Sequence, residues 1–239
     1  MRQRLREGSL LGSFVNIPHP SSVEILGRAG FEVLCLDSEH SSFDMKEIAE
    51  GIRAAEVAGA FPLVRVAGIG PQISQVLDAG AVGVVVPRVS SAEDARAAAA
   101  LACFPPHGER GVGLGRASAY GQNSRYWTDP DRGSYVIVQI ETAAGLASVD
   151  SICAVAGLDM VMVGPFDLAA SMNEEVWSET HSEAVGEILR TARSHGLATC
   201  LFVTSPGQLS EFSSHKVDLF LLSSDVLMLA QGAALMVKQ

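Results

Sequence analysis

A chain of 239 residues with 48% hydrophobic composition can bury a full core, and because a barrel of alternating strands and helices commonly runs to about 250 residues, one domain spanning 1–239 is expected. The net charge of −10 disfavours nucleic acid or an anionic membrane as partner, since both select basic surfaces. Cys35, Cys103, Cys153 and Cys200 form no CxxC pair and read as reduced thiols of a cytoplasmic protein, not as a disulfide frame or a zinc site.

The opening MRQRLREGSLLGSFVNIPHP sets basic residues before an apolar run, as a signal peptide does. Gly12, Ser13 and Asn16 break that run and no small-residue cleavage site follows, so it reads as a first strand over 10–16. Further short apolar runs predict strands over 32–37, 62–66, 82–87, 135–141, 159–164, 198–203 and 219–224. Helical spacing with a start signal lies between them: after Ser21-Ser22, after Asp44, after Ser90-Ser91, and after Thr180, the last ending near Gly196. No uninterrupted apolar run is long enough to span a bilayer.

Strands that are apolar on both faces, alternating with helices, predict a parallel sheet covered by helices, and eight repeats predict closure into a (β/α)8 barrel. An open doubly wound sheet is the alternative, disfavoured because no GxGxxG turn follows the first strand. The irregular stretch 104–133 is too long for an ordinary connection and reads as an active-site lid or a subunit contact. Its GERGVGLGR lacks the Lys-Ser/Thr of a phosphate loop.

In such barrels the chemistry sits at the carboxyl ends of the strands. CLDSEHSSFD puts Asp37, Glu39 and His40 at the end of the second strand, and Arg65 ends the third. A period of two in the fifth strand sends Val136, Val138 and Ile140 toward the helices, and Gln139 and Glu141 into the barrel mouth. Asp167 follows the sixth strand, just after the Gly164-Pro165 turn. Neighbouring strands lie about 4.8 Å apart, so Glu141 and Asp167 can converge on one divalent cation. Two buried carboxylates without a cation would each carry a penalty of several kcal/mol, and Mg²⁺ or Mn²⁺ relieves it. Each residue alone has a plainer reading: Asp167 as a helix cap, His40 as a loop histidine, Arg65 as a structural partner of Asp37. Their convergence on one rim is what carries weight. His19, His107, His181, His195 and His215 read as solvated or capping.

LDSEH, PLVRV, LDAGAVGVVVPRV, PPHGERGVG, VQIET and VGPFDLAASM, in that order, resemble the metal-dependent class II pyruvate aldolases of the 4-hydroxy-2-oxoheptanedioate and 2-dehydro-3-deoxyglucarate aldolase family. The resemblance covers about residues 10 to 172. It implies a (β/α)8 barrel of the phosphoenolpyruvate/pyruvate-binding type, cleaving 4-hydroxy-2-oxo acids to pyruvate and an aldehyde with Mg²⁺, Mn²⁺ or Co²⁺. It also implies a homo-oligomer, a trimer or a hexamer built as a dimer of trimers, with the last helix exchanged between neighbours. Within it, Glu141 and Asp167 ligate the metal, Gln139 supports them or contacts substrate, Arg65 binds the keto oxygen and His40 serves the proton transfer. Asp37 hydrogen-bonds water on the metal, and Asp78 of LDAG reaches a neighbouring subunit's site and orients its His40. The chain departs from the family pattern at Phe14, where a tryptophan is usual, at Phe166, where a small residue is usual, and at Ser223-Ser224 in place of glycine. With Gly164 and Pro165, these positions line or neighbour the aldehyde side of the pocket.

The chemistry agrees. A 2-oxo acid offers carboxylate and keto oxygens to one cation, cleavage collects negative charge on the keto oxygen, where a cation and a guanidinium stabilise it, and an imidazole titrates near the pH at which a C4 hydroxyl proton must be taken. A Schiff-base aldolase needs a lysine in the barrel mouth, and Lys46, Lys216 and Lys238 are not placed there. An acyl-CoA lyase of the citramalyl- or malyl-CoA type would share the carboxylate pair, and a non-catalytic barrel that binds 2-oxo acids would keep the pair without the proton-transfer group.

Overall fold

The computed structural model describes residues 1–128 and 134–237. In chain order it runs α1 (Arg2–Glu7), β1 (Leu10–Val15), α2 (Pro20–Arg28), β2 (Val33–Asp37), α3 (Met45–Val57), β3 (Phe61–Arg65), α4 (Gln72–Asp78), β4 (Gly83–Val86), α5 (Ala92–Ala102), β5 (Tyr135–Ile140), α6 (Ala143–Ala147), α7 (Val149–Cys153), β6 (Met160–Val163), α8 (Pro165–Met172), α9 (Glu179–Ser194), β7 (Ala198–Val203), α10 (Pro206–Glu211), β8 (Leu219–Ser224) and α11 (Asp225–Val237). Every neighbouring strand pair is parallel, and β8 returns to β1 to close the barrel. None of the described helices is long and apolar enough to cross a membrane.

Alternation along each strand builds two apolar layers. Val136, Val138 and Ile140 join the layer between sheet and helices, while Tyr135 and Ile137 join Leu10, Cys35, Leu63, Met160 and Leu219 in the barrel interior. The same period puts Gln139, buried, on the interior face of β5. Register then fixes which strand ends meet. Asp37 pairs with Arg65 across β2 and β3, and Gln139 with Met162 and Ile140 with Val163 across β5 and β6. The residues that follow, Glu141 and Gly164, are therefore neighbours at the rim.

Helix starts follow local chemistry. Asp44 and Glu47 form a reciprocal capping box on α3, and Ser91 caps α5. Two expected starts move. The helix expected after Ser21-Ser22 begins at Pro20, whose fixed φ suits a first helical position, and the Nδ1 of His19 accepts the Ser21 N–H at 3.1 Å. The helix expected after Thr180 begins at Glu179, with Ser178 as cap to the His181 N–H.

The stretch 104–133, of which 129–133 lie outside the described residues, packs along the flank of α4. Arg110 is buried with its guanidinium against the rings of Phe104 and Tyr126, and Arg116 pairs with Glu56 of α3. Among the described residues of this stretch, none lines the rim cavity.

Candidate active site

The carboxyl ends of β2 and β3 carry an ion pair set by their register. Arg65 Nε donates to Asp37 Oδ1 at 2.9 Å and Nη2 to Oδ2 at 2.7 Å, both residues buried. Asp37 also accepts the N–H groups of Glu39 (3.1 Å) and His40 (3.3 Å), which wraps the following loop around its carboxylate. Burial alone would raise the Asp37 pKa, but the hydrogen bonds and charge of Arg65 outweigh it and hold the carboxyl below its ordinary value. For Arg65 too, burial pulls its pKa down and the Asp37 pair more than restores it. The guanidinium carbon lies 4.5 Å from the centre of the Phe14 ring, and so stacks on it.

Asn16 and Asp225 were not singled out by their sequence. The Asn16 amide donates to Asp37 Oδ2 at 2.7 Å. Asp225 is buried, takes the N–H groups of Asn16 and Ile17 and the hydroxyl of Ser22, and so ties the loop after β1 to the start of α11. Asn16 in NIPHP is a usable signal, being polar at a strand end. Asp225 resembles an ordinary helix cap.

Glu141 follows β5 and is buried. Its Oε1 accepts the Arg88 N–H at 2.7 Å, and Arg88 turns that N–H inward with a left-handed backbone, φ 56°, a conformation disfavoured for a non-glycine residue. Its Oε2 accepts from the Gln139 amide. A Cβ on residue 164 would stand 2.5 Å from Glu141 Oε2 and 2.7 Å from Gln139 Nε2, so Gly164 makes room for that carboxylate. Burial is the largest influence on Glu141, and with the charges of Glu39 and Asp167 it pushes the carboxyl up to about 7 against the Arg88 N–H and the Arg65 charge.

Asp167 sits in the first turn of α8, begun by Pro165. His181, expected to be solvated or capping, is instead fully buried. Its Nε2 lies 2.8 Å from the Pro165 carbonyl and its Nδ1 accepts the Trp177 N–H at 3.0 Å. Its ring lies on the buried face of an amphipathic helix and braces the turn that carries Asp167.

Glu39 is a site residue to which the sequence assigned no role. Its Oε2 is buried without a hydrogen bond among the described residues, 3.4 Å from Arg65 Nε and 3.7 Å from His40 Nε2. Burial, reinforced by Asp37 and Asp167, raises its pKa despite Arg65 and His40. His40 itself is exposed at the rim.

These strand ends enclose a cavity of about 210 Å³ lined by Phe14, Asn16, Asp37, His40, Arg65, Gln139, Met162, Gly164, Pro165, Phe166, Asp167, Phe202 and Ser224, with Glu141 just behind Gln139 and Gly164. A wider cleft of about 420 Å³ on another face is lined by Leu5, Arg6, Tyr135, Arg193 and Asp218 among others. There Arg193 is taken up by Asp218 and the Lys216 carbonyl, and no comparable set of acids converges among the described residues.

Asp78 ends α4, at the opposite end of that helix from the rim. Its Oδ1 takes Arg110 Nη2 at 2.5 Å and the Tyr126 hydroxyl at 3.3 Å, while Gly113 lies against Oδ2. Neither Lys46, exposed near Glu50, nor Lys216, in the turn before β8, lines the cavity; Lys238 lies outside the described residues.

The acids at this rim fit a divalent cation. The charges of Glu39 and Asp167 help burial raise the proton affinity of Glu141, that of Asp167 also raises Glu39, and the Oε1 of Gln139 is buried without a partner among the described residues. Among those residues no cluster of three His, Cys, Asp or Glu side chains is set to hold an ion. Hard cations at catalytic sites are commonly held by one or two carboxylates, with water and substrate oxygens in the remaining positions.

The profile of the HpcH/HpaI aldolase/citrate lyase family matches residues 10–229. The chain is 36% identical over 215 residues to a hydroxypyruvate/pyruvate aldolase of Roseobacter denitrificans, covering 87% of this chain and 84% of that one. It is 35% identical over 202 residues to a 4-hydroxy-2-oxovalerate aldolase of Novosphingobium aromaticivorans, covering 81% and 77%. Among solved structures, a HpcH/HpaI aldolase/citrate lyase family protein from Burkholderia cenocepacia superposes with a TM-score of 0.91 at 32% identity, over 100% of this chain and 98% of that one.

Proposed function

This chain belongs to the HpcH/HpaI aldolase/citrate lyase family, and we propose that the rim cavity carries out its chemistry with the residues named below. The protein is a carbon–carbon lyase, a class II aldolase that reversibly cleaves a 4-hydroxy-2-oxo acid to pyruvate and an aldehyde. The observation that carries the site assignment is the convergence of Asp167 and the Asp37-bound Arg65 on one cavity at the carboxyl ends of the strands, with Glu141 packed directly behind its Gln139 and Gly164 wall.

Glu141 and Asp167 would hold the divalent ion, Mg²⁺ or Mn²⁺ or in their place Co²⁺, with Gln139 fixing the Glu141 carboxylate. When bound, that ion supplies Lewis-acid polarisation of the 2-oxo acid's keto oxygen. Arg65 is locked to Asp37 through Nε and Nη2, so Nη1 lies outside that fork and serves the keto oxygen as charge develops there. Asp37 orients Arg65 and the loop bearing His40, and it faces the water that completes the site. His40 takes the C4 hydroxyl proton as the C3–C4 bond breaks, leaving the pyruvate enolate, which is then protonated at C3. Gly164, Pro165, Phe166 and Phe14 bound the space the aldehyde occupies.

The same reading makes the protein one barrel domain acting as a cytoplasmic homo-oligomer on small molecules, a trimer or hexamer with α11 exchanged between neighbours. In support, α11 has no charged residue after Asp225 and leaves Leu229, Leu235, Met236 and Val237 exposed, an apolar surface that a soluble chain covers with a partner. The four cysteines are buried free thiols, which fits a reducing compartment. Asp78, with Oδ1 committed to Arg110 and Tyr126, would offer its other oxygen to a neighbour's His40. The test of the reaction is release of pyruvate from a 4-hydroxy-2-oxo acid, followed by NADH oxidation through lactate dehydrogenase. Release that EDTA abolishes and Mg²⁺ or Mn²⁺ restores supports the reading; release indifferent to EDTA defeats it.

A further inference from the structure

We propose that the aldehyde side of the cavity selects an uncharged, apolar aldehyde over one that carries a carboxylate, a specificity that rests on the pyruvate-aldolase reading of the same site.

Three aromatic rings from three different elements meet at the mouth. The Phe14 and Phe202 rings lie edge to face with centroids 5.4 Å apart, and Phe166 leans on Phe202 at 5.9 Å. Phe14 of β1 is buried in the barrel interior, and its packing there is accounted for by the core. Phe166 is different. It sits in the first turn of α8, 44% exposed, directly beside Asp167, where a large apolar ring costs solvation unless something covers it. Phe202 is only half-buried between them and Met162 lies below, so the wall presents apolar surface to whatever enters. Each methylene that such a wall shields from water favours the bound state.

Charge points the same way. Among the described residues, the cations lining the cavity are Arg65 and, when protonated, His40. Arg65 is forked onto Asp37, stacked on Phe14 and needed by the keto acid; His40 must accept a proton. Of the polar neutral groups, the Asn16 amide is donated to Asp37 and the Gln139 amide to Glu141, while the Ser224 hydroxyl oxygen accepts the Leu227 N–H and brings no charge. A second carboxylate on the aldehyde would therefore meet the acids of the rim with no guanidinium or ammonium of its own.

Butanal and succinic semialdehyde form a matched pair, since both have four carbons and differ only in a terminal methyl against a carboxylate. In the synthetic direction with saturating pyruvate and Mn²⁺, the oligomeric protein should show kcat/KM for butanal at least about tenfold above that for succinic semialdehyde, the discrimination one apolar contact gives. Phe166→Ser and Phe202→Ser should each lower the butanal value about tenfold and move succinic semialdehyde less, with near-UV circular dichroism reporting that each variant is folded. Without any metal, saturation-transfer NMR should detect butan-1-ol on the wild type more strongly than 4-hydroxybutanoate, and lose that contrast in Phe166→Ser. Exchange of pyruvate methyl protons, measured alongside, separates the two layers of the inference. Exchange with equal or reversed aldehyde preference overturns the apolar selectivity and leaves the aldolase reading standing. Absence of exchange overturns the aldolase reading, and the two alcohols then decide on the wall alone.

Discussion

Arg65 and Asp37 end neighbouring strands at the same register position, and their side chains meet as a two-point fork at 2.9 and 2.7 Å. A planar guanidinium held at two nitrogens on a carboxylate and stacked on Phe14 has no freedom left to rotate. Its remaining face is therefore aimed before substrate arrives.

That relationship predicts two losses on substitution. Arg65→Ala should cost roughly 3 kcal/mol of transition-state stabilisation, comparable to the loss of one oxyanion donor. It should also lower the melting temperature, because Asp37 is left buried and uncompensated, a change on the order of 3–5 kcal/mol. Arg65→Lys keeps the charge but not the fork, and should recover stability more than turnover. A purely structural pair would lower the melting temperature while turnover per folded molecule stayed at the wild-type value.

Gly164→Ala tests the carboxylate pocket. The added methyl would stand 2.5 Å from Glu141 Oε2, so the carboxylate or the start of α8 must shift. Calorimetric titration with Mn²⁺ should then show affinity weakened at least about tenfold, within the range that displaced ligand-supporting groups cost, and Glu141→Ala should abolish binding while the barrel stays folded. Unchanged Mn²⁺ affinity in Glu141→Ala would remove this residue from the metal site.

The raised Glu141 carboxyl gives a pH dependence whose sign is fixed. Its folded value of about 7 exceeds the ordinary glutamate value of about 4.3, so between those values the metal-free folded state binds more protons than the unfolded one. Stability of the metal-free protein should therefore fall as pH rises through that window, by roughly 4 kcal/mol in all. Cation binding must displace the same proton, so affinity should improve about tenfold per pH unit up to about 7 and level off above it. Denaturant melts and Mn²⁺ titrations across pH 5 to 8 measure both, and flat profiles would contradict the assigned burial of charge.

The barrel was legible because its strands are apolar on both faces and fall at even intervals; the period of two alone sends Gln139 and Glu141 to the mouth. Asp37 and Arg65, which end strands, were legible for the same reason, and Asp167 because it follows a strand through a Gly-Pro turn. What escaped lies off the strands. His181 looked like a surface histidine because helix periodicity does not reveal that Trp177 and the Pro165 carbonyl wait on its buried side. Asn16, Asp225 and the left-handed Arg88 act through tertiary contacts between segments far apart in sequence. Glu39 was visible in DSEH, but its proximity to Arg65 and its electrostatic contact with Asp167 exist only once the barrel closes.

The proposed assembly can be tested at α11 and α4. Leu229→Asp together with Leu235→Asp places charge on exposed apolar positions, and multi-angle light scattering should report a smaller particle than the wild type. Asp78→Asn should slow turnover without changing Mn²⁺ affinity, since Asp78 lies on the flank with Arg110 and Tyr126, away from its own cavity. A fully active monomer would remove both the exchanged helix and the shared role of Asp78.

If Glu141, Asp167 and Arg65 stabilise a pyruvate enolate as proposed, exchange of the pyruvate methyl protons reads that step without any aldehyde. Microscopic reversibility puts the same enolate on the synthetic path, so in D2O with Mg²⁺ or Mn²⁺ the methyl signal in the proton NMR spectrum should decay faster with protein than without. EDTA should stop the decay, Glu141→Ala and Arg65→Ala should slow it at least about a hundredfold, and borohydride should trap no adduct. Exchange that persists in EDTA, or none with any divalent ion, would contradict a metal-held enolate at this rim.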